Sequence, residues 1–245
     1  MIAEPAIQQR LLQLAEVDTE LTRIDHRRRT MPEIAEITEC ERAVRACKDT
    51  VATVQSAAGD LDRDIARLER DVDGVRARVD RDQGLLAGGG VGAKQAVDLQ
   101  HELDTLARRQ GNLEDELLEV MEQREATEAN LQNAQVELAA AEQALTDVAA
   151  RRDAALTDME AAEAGRRRDR ESIAADIPAD LLGLYDKLRE KTGTGAALVR
   201  ARRCGACRLE LDRSEISAIK NAAPNEVLRH EECGVIMVRT SESGL

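Results

Sequence analysis

The chain has 245 residues, with 48 Asp and Glu against 35 Lys and Arg, one Tyr, and no Phe or Trp. So few rings exclude a thick aromatic core, and a formal charge of −13 excludes a protein that coats nucleic acid along its whole length. At 42% hydrophobic residues with regular spacing, a disordered acidic polymer is excluded as well.

Leu14, Val17, Leu21 and Ile24 recur at helical spacing and predict a first short amphipathic helix. Thr30-Met31-Pro32-Glu33 then has the pattern of a capping box, predicting a bend near residues 30–33 and the start of a new helix. No proline occurs between Pro32 and Pro178, as long helices require. From Ile37 to Val79, alternating steps of three and four fall only on apolar residues or Cys, among them Val44, Cys47, Ala58, Leu68 and Val75.

Gly88-Gly89-Gly90-Val91-Gly92 interrupts the stretch with a dense helix breaker, placing a turn near residues 86–93. A second series of the same spacing follows from Ala96 to Met159, broken by Gln110, Arg124, Thr127 and Arg152. A 3.5-residue repeat held this long is a coiled-coil seam, and two similar arms about one turn fold back antiparallel. Cys47 is expected near Leu131 across that seam. Cys40 and Cys47 lie on the seam as small apolar side chains.

After Ile177-Pro178 the character changes. Leu181, Leu184, Tyr185 and Leu188 form a short apolar helix ended by Thr192-Gly193-Thr194-Gly195, and residues 196–203 read as a strand. Residues 181–245 hold 11 basic and 9 acidic side chains, against 24 and 39 in residues 1–180. The acidity therefore belongs to the helical part.

Cys204-Gly205-Ala206-Cys207 is followed, after twenty-two residues, by His230-Glu231-Glu232-Cys233-Gly234. Two such pairs match a structural Zn2+ site in which Cys204, Cys207, His230 and Cys233 are the ligands. Each short turn aims two donors at one point, thiolate and imidazole suit a tetrahedral ion, and so small a segment needs a metal to hold its shape. Strand-like residues flank both pairs, which is the layout of a zinc ribbon. His26 and His101 read as solvated helix residues.

The helical hairpin, the segment Ile177, Pro178, Leu181, Leu182, Tyr185, Leu188, Arg189, and the paired ligands together resemble the bacterial coiled-coil and C4-type zinc-ribbon proteins. The resemblance implies a long antiparallel coiled-coil hairpin followed by a small β ribbon. Relatives include flagellar regulators that bind an alternative sigma factor or a transcript. The family pattern has four cysteines; this chain matches it at Cys204, Cys207 and Cys233 and departs from it at His230. It departs again at Val235, where an Arg commonly follows the Cys-Gly pair.

The expected fold class is therefore mostly α. Residues 1–176 make the hairpin, and residues 177–245 make a short helix plus the zinc ribbon. No Ser-His-Asp set, phosphate loop or nucleotide fingerprint is visible, and a four-ligand zinc site leaves no open position for catalysis. The expected function is a non-enzymatic adaptor that binds a protein partner, in transcription or regulatory complexes. The alternative is an RNA- or DNA-binding protein using Arg200, Arg202, Arg203 and Arg208 beside the first ligand pair. Arg27–Arg29, Arg151–Arg152 and Arg166–Arg170 would gather near the same end. No run of apolar residues approaches the length of a membrane span, and Met1–Pro5 lacks the regions of a leader. A cytoplasmic monomer or dimer is expected.

Overall fold

The periodic segments become helices, with every turn where the sequence loses its repeat. The computed structural model describes residues 1–244. In chain order it contains helices α1 (Pro5–Arg29), α2 (Pro32–Ala87), α3 (Ala93–Ala175) and α4 (Ala179–Thr192), then strands β1 (Ala196–Arg200) and β2 (Arg203–Cys204). Helix α5 (Arg213–Asn221) and strands β3 (Leu228–Arg229) and β4 (Ile236–Val238) follow. Residues 35–149 form one compact unit, and residues 1–34 with 150–245 form the other.

The first of these units is a two-helix hairpin, turned at residues 88–92, where Gly89 takes a left-handed backbone at φ 65°. Every apolar or Cys position of the first series from Ile37 to Val79 is buried or half-buried, while most residues between them are exposed. The polar interruptions Gln110, Arg124 and Thr127 also lie half-buried on the seam. Ion pairs join the arms: Lys48 to Glu142 at 3.1 Å, Asp62 to Arg124 at 2.7 Å, Arg76 to Glu114 at 2.7 Å, and Arg78 to Glu102. They run in antiparallel order, as expected. Exposed pairs of this kind contribute only about 0.2–1 kcal/mol each, so they fix stagger more than stability.

That stagger corrects one expectation. Lys48 meets Glu142, so Cys47 lies level with the turn around Glu142, about eleven residues beyond Leu131. A slide of seven residues restores the same apolar seam, so the repeat left the stagger open and the turn and side-chain pairing decided it. A second correction concerns Thr30. It closes α1 instead of capping α2: its backbone is the C-cap, and its hydroxyl donates to the His26 carbonyl at 2.9 Å. Helix α2 opens directly on Pro32, whose missing N–H loses nothing at that position.

The other unit surrounds a core of Leu11 and Leu14 from α1, Leu181, Tyr185 and Leu188 from α4, Ala196 from β1, and Ile236 and Val238 from β4. The sheet order is β2-β1-β4-β3; β1 and β4 are parallel, and the other pairs are antiparallel. The N-terminal residues tie directly to the segment before β3: the Ala3 amide donates to the Asn225 carbonyl at 2.7 Å, and the Val227 amide to the Met1 carbonyl at 3.1 Å. Helix α4 ends at Gly193, left-handed at φ 83°, whose amide donates to the Arg189 carbonyl at 2.8 Å. Gly195 passes so close to the Tyr185 ring that a Cβ there would lie 2.5 Å from it.

One polar cluster sits inside this core. The Tyr185 hydroxyl donates to Asp18 Oδ2 at 2.8 Å, Arg170 Nε donates to Asp18 Oδ1 at 2.8 Å, and Arg189 Nε lies 3.2 Å from Oδ2. Asp18 is 3% exposed. Burial and the bond to Asp18 hold the Tyr185 phenol well above its usual value. A buried carboxylate needs such partners, and this one, on α1, draws them from α3 and α4.

Candidate metal centre

Two short turns of matching form bring the four proposed ligands together. In the first, Cys204 ends β2 and the Arg208 amide donates to the Cys204 carbonyl at 2.8 Å, with Arg208 left-handed at φ 64°. In the second, the Gly234 amide donates to the His230 carbonyl at 2.8 Å, with Gly234 at φ 72°. His230 thus occupies the place in its turn that Cys204 occupies in the other. Gly205 donates to the Leu198 carbonyl at 2.9 Å, and a Cβ there would stand 2.6 Å from that oxygen. Only glycine permits that approach. The parallel register of β1 and β4, Ala196 opposite Ile236, holds the two turns side by side.

The donor atoms of Cys204, Cys207, His230 and Cys233 all lie within 4.8 Å of one another. Cys204 Sγ is 3.8 Å from Cys233 Sγ; His230 Nδ1 is 3.4 Å from Cys207 Sγ and 3.1 Å from Cys233 Sγ. Zinc–sulfur bonds of about 2.3 Å in a tetrahedron separate two sulfurs by about 3.8 Å, so the donor set fits. The nitrogen facing the sulfurs is Nδ1.

Burial pushes the Cys204 thiol up to about 11. At Cys207, burial also acts upward, but the Leu209 amide and the neighbouring thiols outweigh it and leave this thiol below its usual value. A divalent cation stabilises both as thiolates. Beneath the cluster, Val235 is fully buried and packs with Ala197 and Cys204. The departure at this position supplies apolar support instead of a surface cation.

Sequence reasoning missed Glu215. It stands at N3 of α5 in a capping box with Asp212, and its Oε1 lies 3.7 Å from His230 Nε2. Asp212-Arg213-Ser214-Glu215 is legible as a helix start, but no spacing rule ties it to His230.

The arginines considered for nucleic acid are all exposed. Arg200 pairs with Glu242 and Arg203 with Glu210, each at 3.4 Å, and Arg202 donates to the Gly244 carbonyl at 3.4 Å. Arg208 forms no ion pair among the described residues. Most of the other clusters are also neutralised. Arg28 and Arg167 both bind Glu163 at 2.6 Å, holding its carboxyl below the usual range, and Arg166 pairs with Glu20 and Asp169. His26 and His101 are exposed, as expected.

A model of the CT398-like coiled coil hairpin domain matches residues 14–193. The chain belongs to that family. A C4-type zinc ribbon domain matches residues 203–237. With the clustered donors, this gives Zn2+ as the cofactor. An uncharacterized protein of Mycobacterium tuberculosis is 43% identical over 246 residues, covering 98% of each chain. A structure from Mycobacterium smegmatis is 41% identical with TM-score 0.86, over 98% of this chain and 100% of that one. The CT398 structure from Chlamydia trachomatis shares the fold at 14% identity, TM-score 0.66, over 96% and 98% of the two chains. No helix among the described residues is long and apolar enough to cross a membrane.

Proposed function

We propose that this chain is a non-enzymatic adaptor whose ribbon is held by one zinc ion on Cys204, Cys207, His230 and Cys233, and whose hairpin docks a protein partner in a cytoplasmic regulatory or transcription complex. Coiled-coil and zinc-ribbon domains fit a non-enzymatic adaptor. The observation that carries the reading is the division of charge. Residues 35–149 hold 25 acidic and 13 basic side chains, nearly the whole excess of the chain. On that unit Leu118, Met121 and Val136 are exposed, and Leu118 and Met121 line a shallow groove with Ile65, Glu122, Glu125, Glu128 and Arg124, the last paired with Glu128 and Asp62, so that Glu122 and Glu125 leave the rim acidic. An apolar groove with an acidic rim suits a partner whose contacting face is basic and apolar. Of the four arginines beside the first ligand pair, Arg200 and Arg203 are engaged with carboxylates and Arg202 with a backbone carbonyl.

The test is capture from native cytosol with nuclease present, comparing the natural chain with a Leu118→Glu, Met121→Glu variant. A partner retained after nuclease and lost in the variant supports the adaptor. The opposing result is DNA or RNA binding of about micromolar affinity at physiological salt that Arg202→Glu with Arg208→Glu abolishes, since phosphate contacts are salt-sensitive and charge-dependent.

A further inference from the structure

The choice of Nδ1 as the metal-facing atom leaves the other ring nitrogen of His230 to be accounted for. A neutral imidazole carries one proton, so an Nδ1 that binds a cation leaves the proton on Nε2. His230 is 1% exposed, and its Nε2 has no hydrogen-bond partner among the described residues. Glu215 Oε1 stands 3.7 Å from it, so a shift of about 0.8 Å would bring it to hydrogen-bond length.

Glu215 is itself held for this purpose. It is 9% exposed, its Oε2 accepts from the Asp212 amide at 3.2 Å, and its Oε1 accepts from the Glu231 amide at 3.5 Å. One carboxylate thus joins the first turn of α5 to the backbone next to His230. A cysteine in the place of His230 would have no second donor to satisfy. An imidazole in place of a thiolate of the C4-type pattern brings a second ring nitrogen whose proton calls for an acceptor.

We propose that Glu215 is the positioning residue of the metal centre: it accepts the Nε2 proton of His230, fixes the ring in the tautomer that presents Nδ1, and raises the zinc affinity of the site. The inference rests on the ligand set proposed above. Carboxylates behind a ligating histidine commonly change metal affinity by about 10- to 100-fold. Glu215→Gln is the suitable change, because the glutamine oxygen can still complete the capping box while its NH2, a donor, cannot accept the Nε2 proton.

Zinc affinity of the full chain, read by competition with a chelator, is compared for the natural chain, Glu215→Gln, His230→Cys and the double variant. The expected result is a loss of about 10-fold for Glu215→Gln in the natural chain and almost none in the His230→Cys background. Equal losses in both backgrounds would overturn the proposal, because Glu215 would then act through α5 alone. No loss in the natural chain would overturn it as well. His230→Ala serves as the separate control: affinity unchanged there refutes the ligand set itself. Nitrogen-detected NMR of the zinc-loaded natural chain provides a readout without mutation. A proton on Nε2 supports the assignment, and a proton on Nδ1 overturns it.

Discussion

Replacing Asp18 by Ala removes the one acceptor shared by Tyr185, Arg170 and Arg189. Removing one partner of a buried ion pair costs about 3–5 kcal/mol. Here the arginine side chains are 25% and 32% exposed, and Arg170 keeps Asp186 at 2.6 Å. Both guanidinium groups can therefore recover water or keep an ion pair, which brings the value to the lower end. The Tyr185 hydroxyl has no such escape, because the residue is fully buried; leaving it without an acceptor adds about 1 kcal/mol. The expected loss is about 3–4 kcal/mol, or roughly 10 °C in the melting midpoint for a chain of this size. Tyr185 is the only Tyr and there is no Trp, so intrinsic fluorescence reports on this core alone. Asp18→Asn should cost less, since the amide oxygen still accepts from the phenol. A midpoint for Asp18→Ala within about 2 °C of the natural chain would refute the reasoning, showing that desolvation of the carboxylate cancels what its partners return.

Elemental analysis should find about one zinc per chain; Cys204→Ser should lose it and open residues 196–240 to proteolysis while the helical circular dichroism largely persists. Carbodiimide should link Lys48 to Glu142 within one chain, and recovery of a Lys48 link to the turn around Leu131 instead would show the stagger to be wrong. Ultraviolet titration should show no tyrosinate at the ordinary phenol value. Because the folded pKa lies above the unfolded one, near 10, the unfolded chain releases its proton first as pH rises. Tyr185 therefore contributes its stability below about pH 10 and loses it above, so ionisation should coincide with alkaline unfolding. Gly205→Ala should lower zinc affinity, since its Cβ would press on the Leu198 carbonyl; an unchanged affinity would show that β1 can yield.

Much of this architecture is local and so was legible in the residues. The heptad series marks the seam because a side chain's position on a helix depends only on its place in the repeat, and the positions from Ile37 to Val79 are indeed the buried and half-buried ones. The run Gly88–Gly92 marks the turn because no other residue type breaks a helix so strongly without proline. The zinc pairs are legible because two donors three residues apart on a tight turn converge on one point, whatever surrounds them. Thr30 shows the limit even of local rules: the same hydroxyl can cap the helix before it or the one after, and here it closed α1.

Relations between distant residues were not legible. Asp18 and Tyr185 are 167 positions apart, and no period connects an acidic residue on α1 with a phenol on α4. The stagger of the hairpin, the engagement of the ribbon arginines by Glu210 and Glu242, and the approach of Glu215 to His230 are of the same kind. Each depends on where packing sets two helices or two turns, and a side-chain contact made or lost within 1 Å leaves the sequence pattern unchanged. A helical hairpin and two converging pairs of donors could be read from the residues alone, because repeat and turn chemistry act over a few residues. That the first 34 residues join the ribbon in one unit emerged only from packing, because the Leu11, Leu14 and Asp18 face of α1 meets its apolar and charged partners on α3, α4, β1 and β4, more than 150 positions away.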